Sequence, residues 1–317
     1  MSLRWKLKWL VKAVTPPIIL LLVKVVSIKL GLRRPDEQLE HAPPTAGPDA
    51  DADAEWEYVP EGWARTAIDS SVKGWDVEAV AAAYREKWPR FLRAIEGARP
   101  LGVYHEVAAG DDVEGEDAAA HNLVLSFAYV AALAAQGKER LTFLDWGGGL
   151  GHYGAIARAV LPVEVDYHCR EVAQTVAVAS ETGAAGRFVS DDSWTDRTYD
   201  LVMASGSLQY AEDWCAQLRD LSRVCRGYLY VTRLPYARSS PSFHVLQRAY
   251  RYGYETEYVG WVVNRDELLA CAAKLGLTLE RELVLDAWLS APGAPEDPIG
   301  HRGFLFSVGG ADAPAAA

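Results

Sequence analysis

The 317-residue sequence has only four cysteines and no spacing that pairs them. Cys169, Cys215, Cys225 and Cys271 form no Cys-x-x-Cys motif, and no pair of histidines has the spacing of metal ligands. A structural zinc site or a disulfide framework depends on such spacings, so neither organises this fold. We predict four buried free thiols, a reducing compartment and no bound metal.

A long uninterrupted apolar run is also lacking near the N-terminus. The run from Pro16 to Val26 is broken by Lys24, and a membrane-spanning helix needs about twenty apolar residues. No small-residue cleavage site follows it, so the segment does not read as a signal peptide. An interfacial membrane anchor fits this segment best, whereas a helix docked on its own protein and a single span stay open as alternatives.

Acidic residues outnumber basic residues outside this N-terminal segment. Residues 1–34 hold eight of the 32 Lys and Arg residues and no acidic residue, which leaves a net charge of −19 on the rest of the chain. This negative charge argues against a nucleic acid partner, which requires a basic face on the protein. The basic arm instead indicates peripheral contact with an anionic membrane, on its cytoplasmic face. Nothing in the composition addresses the oligomeric state.

Composition divides the chain into five segments. They are a basic and apolar arm (1–35), a disordered linker rich in Pro, Ala and Asp (36–55), a helical cap (56–138), an α/β domain (139–309) and a disordered tail (310–317). In the cap, apolar residues share one face of a helix that we expect Pro89 to interrupt.

Strand patterns alternate with helix patterns through residues 139–309. This alternation predicts an α/β fold, a Rossmann-like doubly wound and mostly parallel seven-stranded sheet with the N-terminal helical cap beside it. The last two strand patterns have no helix pattern between them, so we expect them to be antiparallel neighbours.

Four glycines follow the first strand of this domain, at Gly147, Gly148, Gly149 and Gly151. Glycine costs stability inside regular structure, so the backbone there must turn tightly or approach a ligand. Gly149, Gly151 and Gly154 match the dinucleotide fingerprint. With Asp145 in front of them, however, the alternating glycines resemble the loop of class I S-adenosylmethionine-dependent methyltransferases. The preceding carboxylate, the late position of the loop and the two closing strands favour this second interpretation.

Three motifs occur in order along the chain: "FLDWGGGLGHY", "ASGSLQYAEDW" and "YVTRLPY". Together they resemble a methyltransferase family common in bacterial surface-polysaccharide gene clusters, over roughly residues 56–309. The fifth strand departs from the family pattern, because Thr232 stands where the family has aspartate. The resemblance implies S-adenosylmethionine as cofactor and a small-molecule, sugar or lipid-linked glycan acceptor. A Rossmann-type NAD(P)-dependent oxidoreductase and a catalytically silent protein of the same fold remain the alternatives.

The strand ends and the resemblance give the candidate cofactor residues. They are Asp145, Gly147, Gly148, Gly149, Gly151, Tyr153, Glu171, Asp191, Asp192, Ser205 and Gly206. Either Asp166 or Glu171 is expected to accept the ribose hydroxyls, and the strand alternation favours Glu171. Asp191 and Asp192 end the third strand, where this fold usually meets the adenine.

The catalytic candidates are His152, His244 and Arg233. Histidine titrates near neutral pH and is therefore a candidate base. Arginine suits a carboxylate or phosphate, so Arg233 is a candidate for holding an anionic group of the substrate.

Overall fold

The computed structural model describes residues 55–98, 101 and 118–309. All described residues belong to one compact unit, which begins at residue 46. The predictions for the arm and the tail lie outside the described residues, and of the linker only Glu55 is described.

Ten strands and seven α-helices occur within the described ranges. The strands are β1 (Trp56–Tyr58), β2 (Arg140–Trp146), β3 (Glu164–Arg170), β4 (Arg187–Val189), β5 (Tyr199–Ser205), β6 (Cys225–Ala237), β7 (Phe243–Arg248), β8 (Glu257–Asn264), β9 (Leu277–Leu289) and β10 (Ile299–Val308). The helices are α1 (Arg65–Ile68), α2 (Glu78–Glu96), α3 (Ala118–Ala135), α4 (His152–Val160), α5 (Ala173–Glu181), α6 (Trp214–Val224) and α7 (Arg265–Lys274).

Seven of the strands form the predicted core sheet, in the order β4-β3-β2-β5-β6-β10-β9. The first five of these strands are parallel to one another, whereas β10 is antiparallel to both β6 and β9. The mostly parallel α/β sheet and the antiparallel pairing of its last two strands are therefore confirmed, whereas the predicted number of seven strands is too low, because the whole sheet has ten.

Both faces of this sheet are covered, as a doubly wound fold requires. Phe143 and Tyr167 belong to an apolar cluster with residues of α2, α3, α4 and α5. On the opposite face, Leu144 and Val202 pack with residues of α6 and α7. Capping side chains start the helices of this second face: Asp213 accepts a hydrogen bond from the Ala216 N–H at 2.8 Å.

Three further strands extend the sheet, and the sequence analysis did not anticipate them. Strand β7 pairs antiparallel with both β1 and β8. Strand β8 joins the core sheet by two parallel residue pairs, Tyr236 with Val263 and Ala237 with Asn264. We call β1, β7 and β8 the accessory sheet. The predicted cap is thus not helical throughout, because its first residues form β1.

Helix α2 continues through Pro89, so the expected interruption is wrong. Proline has no N–H to donate to the carbonyl of Arg85, four residues earlier, and this normally weakens a helix. Here tertiary packing outweighs that loss, because Trp88 and Phe91 on either side of Pro89 are buried in the core.

Helix α3 is long and apolar enough to cross a membrane by length and composition, with a mean hydropathy of 1.6. Its Phe127 and Val130 side chains are nevertheless fully buried, and the Phe127 ring stacks on that of Phe143 of the sheet at 5.7 Å. This helix therefore packs as a core helix of the α/β domain.

The cysteines correct the prediction of four free thiols. Cys215 of α6 and Cys271 of α7 are joined by a disulfide, with their Cα atoms 6.3 Å apart. Cys169 and Cys225 are free and buried, as predicted. The bridge links residues 56 positions apart, and only the packing of the two helices on the same face of the sheet brings them together.

Candidate active site

A cavity of about 480 Å³ opens at the carboxyl ends of the parallel strands. This is the edge at which doubly wound sheets bind their ligands. Nine of the predicted site residues line it: Gly147, Gly148, Gly149, His152, Tyr153, Glu171, Ser205, Gly206 and Arg233. The other five (Asp145, Gly151, Asp191, Asp192 and His244) do not line it.

The glycine loop between β2 and α4 is held tightly against its neighbours. Gly147 has a φ of +74°, and a Cβ added there would lie 2.5 Å from the Cβ of Ser207. A Cβ on Gly148 would lie 2.4 Å from Cγ of Asp145. At both positions a side chain has no room, so the loop backbone itself forms the floor of the cavity.

Two hydrogen bonds tie this floor to the adjacent strand ends. The Gly147 N–H donates to the carbonyl of Arg170 at the end of β3, at 2.8 Å. The Ser207 hydroxyl, just after β5, donates to the carbonyl of Trp146 at 2.7 Å. The ends of β2, β3 and β5 are therefore fixed relative to one another before any ligand binds.

Glu171 follows β3 and presents a buried carboxylate to the cavity. Its Oε1 accepts from the Gly149 N–H at 2.9 Å, and its Oε2 accepts from the Val172 N–H at 2.8 Å. Burial raises the pKa of Glu171, and the two backbone donors offset part of this effect. Each carboxylate oxygen keeps a further lone pair for another donor.

Asp166, the alternative to Glu171, lies elsewhere. Its carboxylate is 2.6 Å from Nη2 of Arg140 and 3.1 Å from Nε2 of His168, and it does not line the cavity. The geometry therefore favours Glu171 over Asp166 as the ligand-facing carboxylate.

Asp145 ends up beneath the loop rather than facing the cavity, which corrects the expectation of a direct contact. Its carboxylate is fully buried, and Oδ2 accepts from the Tyr167 hydroxyl at 2.9 Å. Burial raises the pKa of Asp145 to about 7, against the effect of that hydrogen bond and together with the nearby charge of Glu171. Gly151 also lies below the loop, and a Cβ there would be 3.0 Å from the Tyr167 ring.

Tyr153 and Ser205 meet at the centre of the cavity wall. The Tyr153 hydroxyl and Ser205 Oγ are 2.9 Å apart, which joins the first turn of α4 to the end of β5. Gly206 follows with a φ of +61°, and a Cβ there would be 3.1 Å from Nη1 of Arg233. The Arg233 guanidinium thus lies against the backbone at the end of β5.

The two candidate histidines are poor bases in this structure. His152 packs its ring edge-on to Phe91 at 4.5 Å and to Trp88 at 5.1 Å. Burial lowers the pKa of His152 to about 3, with a smaller effect from Lys87, so its ring is neutral at neutral pH. His244 lies on β7 with its ring 3.7 Å from that of Trp261 and away from the cavity. The assignment of His244 to the site is therefore wrong.

Asp191 and Asp192 are likewise not part of the cavity, which corrects their assignment to the adenine. The Asp191 carboxylate accepts from the Ser193 N–H at 3.1 Å and from the Ser193 hydroxyl at 2.5 Å. It caps the 3₁₀ turn Asp192–Asp196, and both aspartates are exposed. Trp194 of the same turn is buried in the apolar cluster below the sheet and does not line the cavity.

Comparisons with known proteins give structural neighbours only. No protein-family model matches the chain, and no curated protein matches it. The magnesium protoporphyrin IX methyltransferase of Synechocystis PCC 6803 is similar at 14% identity and a TM-score of 0.42, over 73% of this chain and 97% of that one. An amino pentose methyltransferase of Micromonospora echinaspora involved in calicheamicin biosynthesis is similar at 15% identity and 0.41, over 60% and 91%.

A third neighbour is the 1,6-didemethyltoxoflavin-N1-methyltransferase of Burkholderia thailandensis, at 15% identity and a TM-score of 0.40, over 71% of this chain and 90% of that one. At these values the likeness carries no function over to this chain.

Several cavity residues were not assigned by the sequence analysis. They come from the cap (Trp75 and Tyr84), from β7 (Gln247), from the segment between β7 and β8 (Tyr252 and Tyr254), from the residues after β5 (Gln209) and from β10 (His301). Gln209 lies in the quoted "LQY" motif, and Tyr252 and Tyr254 lie in the tyrosine-rich stretch before β8. For Trp75, Gln247 and His301, no local pattern distinguishes them from core residues.

Proposed function

We propose that this protein is an S-adenosylmethionine-dependent methyltransferase acting on a small-molecule, sugar or lipid-linked glycan acceptor. One observation carries the proposal. A side-chain-free glycine loop and the buried Glu171 carboxylate face one cavity from the ends of adjacent parallel strands. That arrangement suits a ligand with vicinal hydroxyls and an extended body that must lie close to the backbone.

The residues present fit this cofactor. Glu171 would accept the ribose hydroxyls, and the apolar side chain of Val172 beside it would contact the adenine. The loop backbone at 147–149 would lie along the cofactor, and Tyr153, Ser205 and Gly206 would border its methionine end. When bound, S-adenosylmethionine supplies an electrophilic methyl group on a sulfonium.

The other cavity residues would position the acceptor and exclude water, on which methyl transfer mainly depends. Trp75 stacks on Tyr258 at 4.1 Å, with the rings 2° from parallel. The Trp75 ring also meets that of Tyr254 edge-on at 6.0 Å. Tyr84 of α2 meets Tyr254 edge-on at 5.8 Å. These packed rings form a rigid apolar wall facing the loop. With a pKa of about 3, His152 supports this wall as a neutral ring and does not take the acceptor proton.

The same geometry weighs against a dinucleotide oxidoreductase. A pyrophosphate would need the N-terminus of α4. The rings of Trp88 and Phe91 pack on His152, the first residue of α4, and the Asp145 carboxylate lies under the loop. A diphosphate there would lie against aromatic rings and over a buried acidic group.

Isothermal titration calorimetry with S-adenosylhomocysteine and with NAD⁺ tests the proposal on the full-length protein. We expect S-adenosylhomocysteine to bind and NAD⁺ not to bind. Glu171→Ala should weaken the binding of S-adenosylhomocysteine by about 1–3 kcal/mol, the usual loss for a hydrogen bond to a charged group. Asp166→Ala removes a carboxylate from β3 itself, outside the cavity, and should leave the affinity unchanged.

Binding of NAD⁺ alone would replace the proposal with an oxidoreductase, and binding of neither ligand would favour a silent protein of this fold. An effect of Asp166→Ala without one of Glu171→Ala would mean that the ribose carboxylate is misassigned.

The acceptor class rests on the family resemblance and on the aromatic wall. We propose a hydroxyl of a surface glycan or of its lipid-linked precursor, met at the cytoplasmic face of the membrane. Mass spectrometry of surface glycans from a deletion strain should then reveal a lost methyl group. Unchanged glycans would direct the search to soluble small molecules.

A further inference from the structure

Strand β9 is irregular where it faces His301 of β10. The register of the pair shifts between Gly300 and Arg302 of β10, so residues 285–287 of β9 together face His301 alone. Asp286, in the middle of this bulge, has a φ of +56°, a backbone conformation that a non-glycine residue adopts only under constraint. Bulges of this kind redirect side chains and are frequent beside active sites.

Strand β6, on the other side of β10, carries a second bulge. Thr232 and Arg233 together face Gly303 alone, and this skip in register redirects Arg233, which lines the cavity. Arg233 has a φ of +53°, and it and Asp286 are the two non-glycine residues of positive φ among those that the structure describes. Both therefore lie on the strands that flank β10. Strained backbone at a cavity wall points to a function for the side chains presented there.

His301 lies between these two bulges and lines the cavity. Its imidazole hydrogen-bonds to the backbone of Ala287 in a way that favours the charged ring, so the ring donates and the carbonyl accepts. The Nδ1 atom is buried and has no hydrogen-bond partner within the described part of the chain. A neutral imidazole has a single N–H. The bond to Ala287 therefore assigns the N–H to Nε2 and leaves a lone pair on Nδ1.

The His301 ring is neutral at neutral pH. Burial lowers the pKa of His301 to about 4, the charge of Arg233 acts in the same direction, and the bond to Ala287 offsets part of both effects. Nδ1 is therefore a hydrogen-bond acceptor and, like the ring of His152, a weak base. Leaving a buried acceptor without a donor is costly, so a ligand that donates to Nδ1 would be favoured.

We propose that Nδ1 of His301 accepts a hydrogen bond from a hydroxyl of the methyl acceptor, and that this contact selects acceptors with a donor at this point of the cavity. The inference rests on the proposed function. Strands β5 and β6 separate β10 from β2, whose end carries the glycine loop, so His301 faces the side of the cavity away from Glu171. The amino group of the cofactor is the competing donor.

Phenol and fluorobenzene are suitable probes, because the two rings have nearly the same size and only phenol donates a hydrogen bond. Binding of each probe is measured by ligand-observed NMR on full-length protein saturated with S-adenosylhomocysteine. We expect phenol to bind about fivefold more tightly than fluorobenzene, the preference that one net hydrogen bond gives.

His301→Leu and His301→Asn form a matched pair of variants. Leucine and asparagine have nearly the same shape, and the asparagine side-chain oxygen can take the place of Nδ1. We expect His301→Leu to lose the preference for phenol and His301→Asn to retain it. His301→Gln keeps a donor for the Ala287 carbonyl without an acceptor at the position of Nδ1, so it should also lose the preference, and it replaces His301→Leu if that variant does not fold.

His244→Leu is the control at a distant position. It removes another buried imidazole nitrogen without a hydrogen-bond partner among the described residues, but His244 does not line the cavity. The preference for phenol should stay as in wild type.

Titration of S-adenosylhomocysteine without any probe separates the two possible donors. We expect the affinity of His301→Leu to stay within about threefold of wild type. A loss of about tenfold or more would assign Nδ1 to the amino group of the cofactor and overturn the proposal.

The probes can also overturn the proposal directly. Phenol that does not bind wild type, or binds no more tightly than fluorobenzene, would do so, as would a preference that survives in both His301→Leu and His301→Gln. If S-adenosylhomocysteine itself does not bind, the proposed function falls, and the same probe titrations on the unliganded protein still decide whether Nδ1 receives a donor.

Discussion

The buried carboxylate of Asp145 should make the stability of this protein fall as the pH rises. Burial raises the pKa of Asp145 from its ordinary value of 3.8 to about 7. The folded chain therefore prefers the protonated carboxyl, whereas the unfolded chain loses this proton near pH 4. By linkage, the contribution of Asp145 to stability is fully present below pH 4 and is lost as the pH rises through about 7.

The size of this effect follows from the pKa difference. One pKa unit corresponds to 1.36 kcal/mol, so the ionised carboxylate costs on the order of 4 kcal/mol above pH 7. Asp145→Asn keeps an oxygen for the Tyr167 hydroxyl and cannot ionise. We expect its free energy of unfolding, relative to wild type, to rise by about that amount between pH 4 and pH 7. Urea unfolding followed by tryptophan fluorescence measures this difference at each pH.

Asp200 provides a control of opposite sign. Burial acts to raise its pKa, but hydrogen bonds from Arg226 and Thr142 outweigh burial and lower it. The stabilisation by Asp200 is present above pH 4 and is lost as the pH falls, so Asp200→Asn should destabilise the protein most at neutral pH. A difference between Asp145→Asn and wild type that does not change with pH would refute the argument that this carboxyl is protonated in the fold.

Three further predictions concern the loop, the cavity wall and the N-terminal arm. Gly148→Ala places a Cβ 2.4 Å from Cγ of Asp145, so the affinity for S-adenosylhomocysteine measured by calorimetry should fall at least tenfold. Gly97→Ala is the control: its Cβ would lie at an ordinary contact distance of 3.4 Å from a helix carbonyl, so the affinity should not change. Lys87→Met removes the 2.6 Å hydrogen bond to the Tyr252 carbonyl, so urea unfolding should show a loss of about 1–3 kcal/mol with cofactor affinity unchanged. We propose that the arm binds anionic membrane, so deletion of residues 1–36 should abolish sedimentation with anionic vesicles and preserve cofactor binding. If the full-length protein does not sediment with such vesicles, the membrane proposal is wrong.

The sequence was informative where a local pattern decides the structure. Leu144 to Gly151 predicted a strand, a tight loop and a helix start, and each is present. The alternation of Val163, Val165 and Tyr167 predicted a strand that ends close to Glu171, and Glu171 does line the cavity. Such signals lie within a few neighbouring residues, so they can be read without tertiary information.

The sequence predictions failed where contacts between distant segments of the chain determine the structure. The "FHVLQR" and "EYVGWVVN" segments of the accessory sheet acquire their roles by pairing with each other and with β1, which no local pattern reveals. Asp191 was expected at the ligand because it follows a strand, but its carboxylate instead closes a turn onto Ser193. The register skip that redirects Arg233 depends on β10, some seventy residues later in the chain.

The accessory sheet also bears on how proteins of this fold could acquire different cavities. Strands β7 and β8 enter the chain between β6 and α7, and β8 pairs with the core sheet at Tyr236 and Ala237 of β6. The glycine loop and Glu171 belong to a different part of the chain. Substitutions within β7, β8 and the tyrosine-rich turn between them can therefore reshape one wall of the cavity while the opposite wall is inherited unchanged. The fold therefore places the two walls of the cavity on separate segments of the chain.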